Sequence, residues 1–213
     1  MTEIVIATRN AHKVGEIRGI LGTKFRILSQ HDFPGAPPVA EDAATFSGNA
    51  AKKAEGLAAW LELQPTTAKL NEHFYVLADD SGLEVDALGG APGVHSARFA
   101  ANDEAGTTNS PDADNNAKLL RLLEGVPSDR RMARFRCVLA LAARGKTTLL
   151  FGGHCEGRIA FAAAGAGGFG YDPLFVPEGF VESFAELGEE VKNKISHRAR
   201  ALAQLRQFLD GIN

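Results

Sequence analysis

Tyr75-Val76-Leu77-Ala78-Asp79-Asp80-Ser81-Gly82-Leu83-Glu84-Val85 is the stretch around which the chain is organised. An apolar, β-branched run stops at two adjacent carboxylates, a hydroxyl and a glycine. That is the pattern of a buried strand delivering acidic side chains to the rim of an open α/β sheet, where such sheets keep their sites. Neighbours on an extended segment face opposite ways, so Asp79 and Asp80 are expected to do different jobs, one toward the site and one bracing the loop. A carboxylate there can hold a hard cation or take a proton from water. Taken alone, Asp-Asp-Ser-Gly is more often an acidic turn with Gly82 supplying an awkward backbone angle, so its partners elsewhere in the chain decide the reading.

Toward the N-terminus, Ile4–Ala7 reads as a short buried strand running into Thr8-Arg9-Asn10-Ala11-His12-Lys13, followed by a helix with Val14, Ile17, Ile20 and Leu21 at spacings of three and four. Strand, polar turn and helix form a phosphate-cradle layout, because amides and the positive dipole end at a helix start attract an anion. Thr8 and Asn10 can donate and Lys13 adds a charge, although a plain N-cap accounts for Thr8 and Asn10 equally well. The Gly-x-x-x-x-Gly-Lys loop of P-loop proteins is absent. Phe25–Leu28 is a second strand and Phe33–Pro38 a loop leading to Glu41-Asp42. A long Ala-rich helix is expected from about Ala43 to Leu63, with Asn49 and Lys53 sharing one face and Glu41 near its positive end. Gln64 to His73 is a polar connector.

On the other side, Ala87–Phe99 is a Gly/Pro loop carrying Arg98, and Asn102 to Asn116 reads as a mobile polar loop before a helix Ala117–Glu124. Arg134–Ala143 and Thr147–Phe161 read as two strands joined by a hairpin turn at Arg144-Gly145-Lys146, with Cys137 on the inner face. Gly165-Ala166-Gly167-Gly168-Phe169-Gly170-Tyr171-Asp172-Pro173 lets backbone pass close to a ligand and offers the rings of Phe169 and Tyr171 for stacking on a flat base. A Gly-rich strand crossing with packed aromatics explains it as well. Glu189 to Arg198 gathers cations beside a helix N-cap at Ser196, a cluster that ordinarily is a solvated charge run. The last helix carries Leu202, Leu205, Phe208 and Leu209 on one side.

At 213 residues and 45% apolar content the chain can bury a large core, and its net charge of −3 leaves no broad footprint for polymeric nucleic acid or an anionic membrane. Cys137 and Cys155 are the two cysteines, which fits a reducing compartment, and Met1-Thr2-Glu3 lacks a basic leader, so a cytoplasmic protein is expected. Three turns with phosphate donors or cations, a strand with carboxylates for a divalent metal and a Gly/aromatic loop for a planar ring together describe a nucleoside triphosphate site.

Thr8-Arg9-Asn10-x-x-Lys13, Thr45-Phe46-x-x-Asn49-Ala50-x-x-Lys53-Ala54, Ala78-Asp79-Asp80-Ser81-Gly82-Leu83, Gly90-Ala91-Pro92-Gly93 with Ser96-Ala97-Arg98, Gly168-Phe169-Gly170-Tyr171-Asp172-Pro173 and Ile195-Ser196-His197-Arg198 stand in the order and approximate spacing of the inosine/xanthosine triphosphate pyrophosphatase family. The chain resembles that family over essentially its whole length. The resemblance implies an α/β fold, a long mixed β-sheet flanked by helices, forming residues 1–213 as one domain of two lobes with the active site in the cleft between them. It implies a homodimeric, Mg2+-dependent enzyme that hydrolyses ITP, dITP and XTP to the monophosphate and pyrophosphate. By position, Asp80 resembles the proton acceptor and, with Glu41, a metal carboxylate; Lys53 joins Asp80 as a catalytic residue. Thr8, Arg9, Asn10, Ala11, His12, Lys13, Asn49 and Ser81 would bind the substrate alongside, and Phe169, Gly170, Tyr171, Asp172, Lys192, His197 and Arg198 would hold the base.

Two positions depart from the family pattern: Arg9 stands where Gly or Asn is frequent, and Gly48 where Glu is frequent. Arg9 either strengthens triphosphate binding or faces solvent. Gly48 costs about 1 kcal/mol if it lies in a helix interior. Glu41 and Asp79 both compete to be the second metal ligand. Two rival readings stand beside this one, a pyrophosphatase for modified pyrimidine or methylated nucleotides and a sensor that binds a triphosphate without turning it over.

Overall fold

The computed structural model describes residues 2–64, 70–71, 74–101 and 109–211. Most of the expected connector Gln64–His73 and the first half of the expected loop Asn102–Asn116 lie outside the described residues. Among these residues six strands hydrogen-bond in the order β2-β1-β3-β4-β5-β6: β1 Glu3–Ile6, β2 Arg26–Ser29, β3 Phe74–Val85, β4 Met132–Ala142, β5 Leu149–Ile159 and β6 Phe175–Pro177. The sheet is mixed, since β1 runs parallel to both β2 and β3 whereas β5 and β6 are antiparallel. Among the described residues five α-helices accompany it: α1 Ala11–Leu21, α2 Phe46–Glu62, α3 Asp112–Leu122, α4 Phe184–Ile195 and α5 His197–Gly211. This is the α/β class read from the sequence.

The chain forms two compact units. The first comprises residues 1–80, 137–152 and 200–213, and the second residues 81–136 and 153–199, so β3 passes from one to the other between Asp80 and Ser81.

In the first unit the period of two along each strand sorts side chains onto two faces. Ile4, Ile6, Leu77, Cys137, Leu139 and Leu141 meet α1 through Val14, Ile17 and Leu21 and α5 through Leu202, Leu205 and Leu209. The alternate residues Val5, Ala7, Val76, Ala78, Ala140 and Ala142 meet α2 through Ala50, Ala54, Leu57 and Leu61. Helices thus cover both faces, which is why β1 is apolar without alternation. The second unit has one core, in which Leu83, Val85, Ala133, Phe135, Ile159 and Phe175 pack with Leu119 and Leu123 of α3 and Phe184 of α4.

Several boundaries differ from expectation. Asp79 and Asp80 do not terminate their strand: β3 continues five residues beyond Asp80, to Val85. The rim they occupy is the end of β1, whose register with β3 stops at Ile6↔Leu77. Helix α2 begins at Phe46, because the Thr45 side chain accepts the Gly48 amide and ends the extended segment there, so Gly48 lies in the first turn instead of the interior. Helix α3 begins at Asp112 and absorbs residues expected in a loop, its acidic first turn suiting the helix dipole. Helix α4 was masked by its charge run and by Gly188, which breaks the helical path at φ 76; its start is marked by a capping box between Ser183 and Glu186.

Candidate active site

The chemistry of the first unit gathers where β1 ends. The Ala7 amide bonds the Leu77 carbonyl at 2.8 Å, the last rung before the chain leaves the sheet, and α1 starts four residues later. The first amides of a helix lack carbonyls of their own helix. Here Thr8 Oγ1 accepts the Asn10 amide at 3.2 Å and Asn10 Oδ1, the N-cap, accepts the Lys13 amide at 3.1 Å. Thr8 and Asn10 therefore shape the turn, and Ala11 and His12 occupy the first helical positions, exposed at the dipole's positive end. Arg9 has another employment. Its guanidinium donates to the Ala36 carbonyl at 3.0 Å and its own carbonyl meets His31 Nε2 at 3.3 Å, which staples this turn to the Phe33–Ala36 loop.

Asp79 and Asp80 point to opposite faces, as alternation requires. Asp79 goes to the α1 face, where its carboxylate takes Lys13 Nζ at 2.6 Å and the Cys137 thiol, which donates at 3.2 Å. Asp80 goes to the α2 face and takes Lys53 Nζ at 2.8 Å; Glu41 reaches the same ammonium at 3.2 Å. Burial pushes the Lys53 ammonium toward losing its proton, but Asp80, Glu41 and Asp79 outweigh that and hold its pKa above the ordinary value, so Lys53 acts as a fixed cation. Burial also raises the Asp80 carboxyl above the usual range, with Lys53 and Lys13 opposing and Glu41 adding to it. For Glu41 burial pulls upward too, yet Lys53, Asp80 and Lys13 together bring it below its ordinary value. A carboxylate raised above its usual range by burial is a better base than a solvated one.

These five groups carry two positive and three negative charges, and Asp80 Oδ2 is buried with no hydrogen-bond partner among the described residues. A net anionic cluster with an orphaned carboxylate oxygen fits a hard divalent cation. Glu41 and Asp80 converge on one ammonium, whereas Asp79 meets Lys13 and Cys137 on the other face. Among the described residues no group of three or more His, Cys, Asp or Glu converges. Asn49 is fully buried, and its Oδ1 accepts the Ala43 amide at 2.9 Å.

The second unit assembles a different cluster. Asp172 is buried and accepts the Phe169 amide at 2.8 Å and Lys192 Nζ at 2.5 Å. A Cβ on Gly168 would sit 2.2 Å from Asp172 Oδ2, and its φ of +74 is a second reason only glycine serves there. Lys192 Nζ lies 4.5 Å from the Phe169 ring centroid, and the buried Arg198 guanidinium is 5.8 Å from it while donating to Ser81 Oγ at 2.9 Å. Ser81, expected with the triphosphate residues, is thus tied to the cluster expected to hold the base. His197 is buried and stacked on Phe135, with centroids 4.8 Å apart and planes 15° apart.

The expected pair of stacking rings resolves into one. Tyr171 is in the core, its hydroxyl donating to the Ser96 carbonyl at 2.8 Å, and burial drives its phenol far above the ordinary range. Phe169 keeps a partly exposed ring. Two helix α3 residues that sequence reading missed complete the loop: Asp112 accepts the Gly170 amide at 2.6 Å and Asn116 donates to the Gly170 carbonyl at 2.9 Å. Nothing in the sequence links residues 54 or more positions apart, so no local signal could have found them.

The sequence model of the Ham1 family matches residues 4–208. The chain belongs to the Ham1 family. A dITP/XTP pyrophosphatase of Geobacillus kaustophilus is 50% identical over 206 residues, covering 96% of this chain and 93% of the relative. One of Shouchella clausii is 45% identical over 215 residues, covering 100% of this chain and 98% of the relative. Among solved structures, the Staphylococcus aureus Ham1 protein superposes with a TM-score of 0.81 at 36% identity, each chain covered completely. This Ham1 family member therefore shares the fold and nearly the full length of its relatives.

Proposed function

We propose that the protein is a nucleoside triphosphate pyrophosphatase that hydrolyses ITP, dITP and XTP to the monophosphate and pyrophosphate. The observation that carries the reading is the Lys53–Asp80–Glu41 group standing beside the start of α1, a raised carboxylate next to a fixed cation and an anion-binding helix end. The names of the near full-length relatives point the same way.

Attack of water on the α-phosphorus needs a positioned, partly deprotonated water and neutralisation of charge on pyrophosphate. Asp80 takes the proton: its carboxyl is poised upward by burial, and Oδ2 is its open acceptor. Lys53 and Lys13, each steadied by a carboxylate, offset the charge growing on the phosphates, with the first-turn amides of α1 at Ala11 and His12 adding donors. Mg2+, held by Glu41 and Asp80, would supply charge neutralisation and a lowered water pKa.

Base selection rests on donors held in place. A 6-oxo purine offers an acceptor where adenine offers an amino group, so the Arg198 guanidinium, anchored on Ser81, rewards the first and rejects the second. Phe169 supplies the stacking face, with Lys192 and Asp172 fixing its loop. The resemblance further supports a cytoplasmic homodimer with residues 1–213 working as one domain; among the described residues no helix is long and apolar enough to cross a membrane.

The test is pyrophosphate release from ITP, dITP, XTP, GTP, ATP and dUTP with Mg2+ and then with chelator. Metal-dependent turnover of ITP and XTP with slow ATP turnover is expected. Turnover of a pyrimidine nucleotide alone would overturn the base assignment, and tight ITP binding without turnover would make the protein a sensor.

A further inference from the structure

The Glu41 carboxylate is 42% exposed, and a partly exposed ion pair such as the one it makes with Lys53 orders a side chain only weakly. Where that carboxylate can reach is decided by the backbone that carries it. That backbone, residues 42–45, is tied repeatedly to the first two turns of α2, the helix that bears Lys53. Asn49 Oδ1 accepts the Ala43 amide at 2.9 Å, the Thr45 side chain accepts the Gly48 amide at 3.1 Å, and the Asn49 amide donates to the Thr45 carbonyl at 3.1 Å.

Gly48 permits the approach. A Cβ there would lie 2.8 Å from Ala43 Cβ and 3.2 Å from Thr45 Oγ1, so a side chain at 48 requires this segment to shift. Asn49 sits between these contacts with no exposed surface at all, its amide orientation set by the need for an acceptor opposite the Ala43 N–H. The side-chain oxygen of Asn49 is thus spent on the segment that carries Glu41. Asn49 and Lys53 are one helical turn apart, so the bracket fixes Glu41 against the same helix that fixes the cation it shares with Asp80.

We infer that Asn49, seated against Gly48, is a positioning residue that sets Glu41 as a metal ligand, in place of the substrate contact expected for it. The inference rests on the reading of Glu41 and Asp80 as the metal carboxylates, and the test separates the two.

Mn2+ binding is followed by electron paramagnetic resonance with a saturating, non-hydrolysable α,β-methylene analogue of ITP, and exchange of the Ala43 amide by NMR, for wild type, Asn49→Ala and Gly48→Ala. Both variants act on Ala43, but only the first removes the amide side chain. Expected is a Mn2+ affinity about tenfold weaker in both, faster Ala43 exchange in both, and analogue affinity at saturating Mn2+ within about twofold of wild type. Weaker analogue binding in Asn49→Ala, with Gly48→Ala holding Mn2+ like wild type, would overturn the inference and return Asn49 to the substrate. Faster Ala43 exchange with unchanged Mn2+ affinity would overturn it too. If wild type takes up no Mn2+ while the Ala43 amide is protected, the bracket stands and the metal reading of Glu41 fails. Should Asn49→Ala not fold, Gly48→Ala alone decides.

Discussion

Lys53 Nζ lies 2.8 Å from Asp80 Oδ1, so the candidate base is held by a cation through one oxygen while the other remains open. Asp80→Asn keeps the shape and removes the proton acceptor. We expect pyrophosphate release from ITP to fall by about 10²- to 10⁴-fold, with ITP still bound when measured by calorimetry. A variant within tenfold of wild type would mean that Asp80 is not the base.

Lys13 and Asp79 form the second pair, and here the carboxylate has no exposed surface. Lys13→Ala removes the ammonium from that buried charge and is expected to cost about 3 kcal/mol in urea denaturation. Adding Asp79→Asn should restore part of the loss, because the neutral amide needs no counter-charge; the coupling energy from the double-mutant cycle is the check. Additive effects would show that the pair carries no stability.

Phe169 and Tyr171 are two residues apart yet face different environments. Tyr171→Phe removes the hydrogen bond to the Ser96 carbonyl and should cost about 1–2 kcal/mol of stability while leaving the KM for ITP near wild type. Phe169→Ala should do the reverse, raising KM with little change in thermal midpoint. Exchange of these two outcomes would place the stacking ring at 171.

Asp32 accepts the Ser29 amide at 2.7 Å and the Ser29 hydroxyl at 3.1 Å. The Ser29 backbone bond, foremost, holds its carboxyl below the ordinary value of about 4. A depressed carboxylate contributes stability that is complete above the unfolded value and disappears as pH falls through the folded one. The stability gap between wild type and Asp32→Asn should therefore be widest near neutrality and close as pH falls below the ordinary carboxylate value of about 4, measured by denaturant unfolding across that range. A gap that stays constant would show that the carboxylate's charge is irrelevant to the cap.

Periodicity and composition determined the α/β class, the strand that leads into Asp79 and Asp80, the helix start after Asn10 and the cap at Ser196, because each rests on residues within one turn or one strand of each other. The opposite duties of Asp79 and Asp80 were legible for the same reason, alternation being a local property of extended chain. Tertiary structure alone decided which partners they met. Lys13 and Lys53 come from helices on opposite faces of the sheet, and only the packing of α1 and α2 assigns one lysine to each carboxylate. The burial of Tyr171 beside a partly exposed Phe169, and the rim that belongs to β1 and not to β3, likewise follow from contacts between distant segments. A linear pattern records what a residue is and how its neighbours repeat; what lies across the sheet from it is set by the fold.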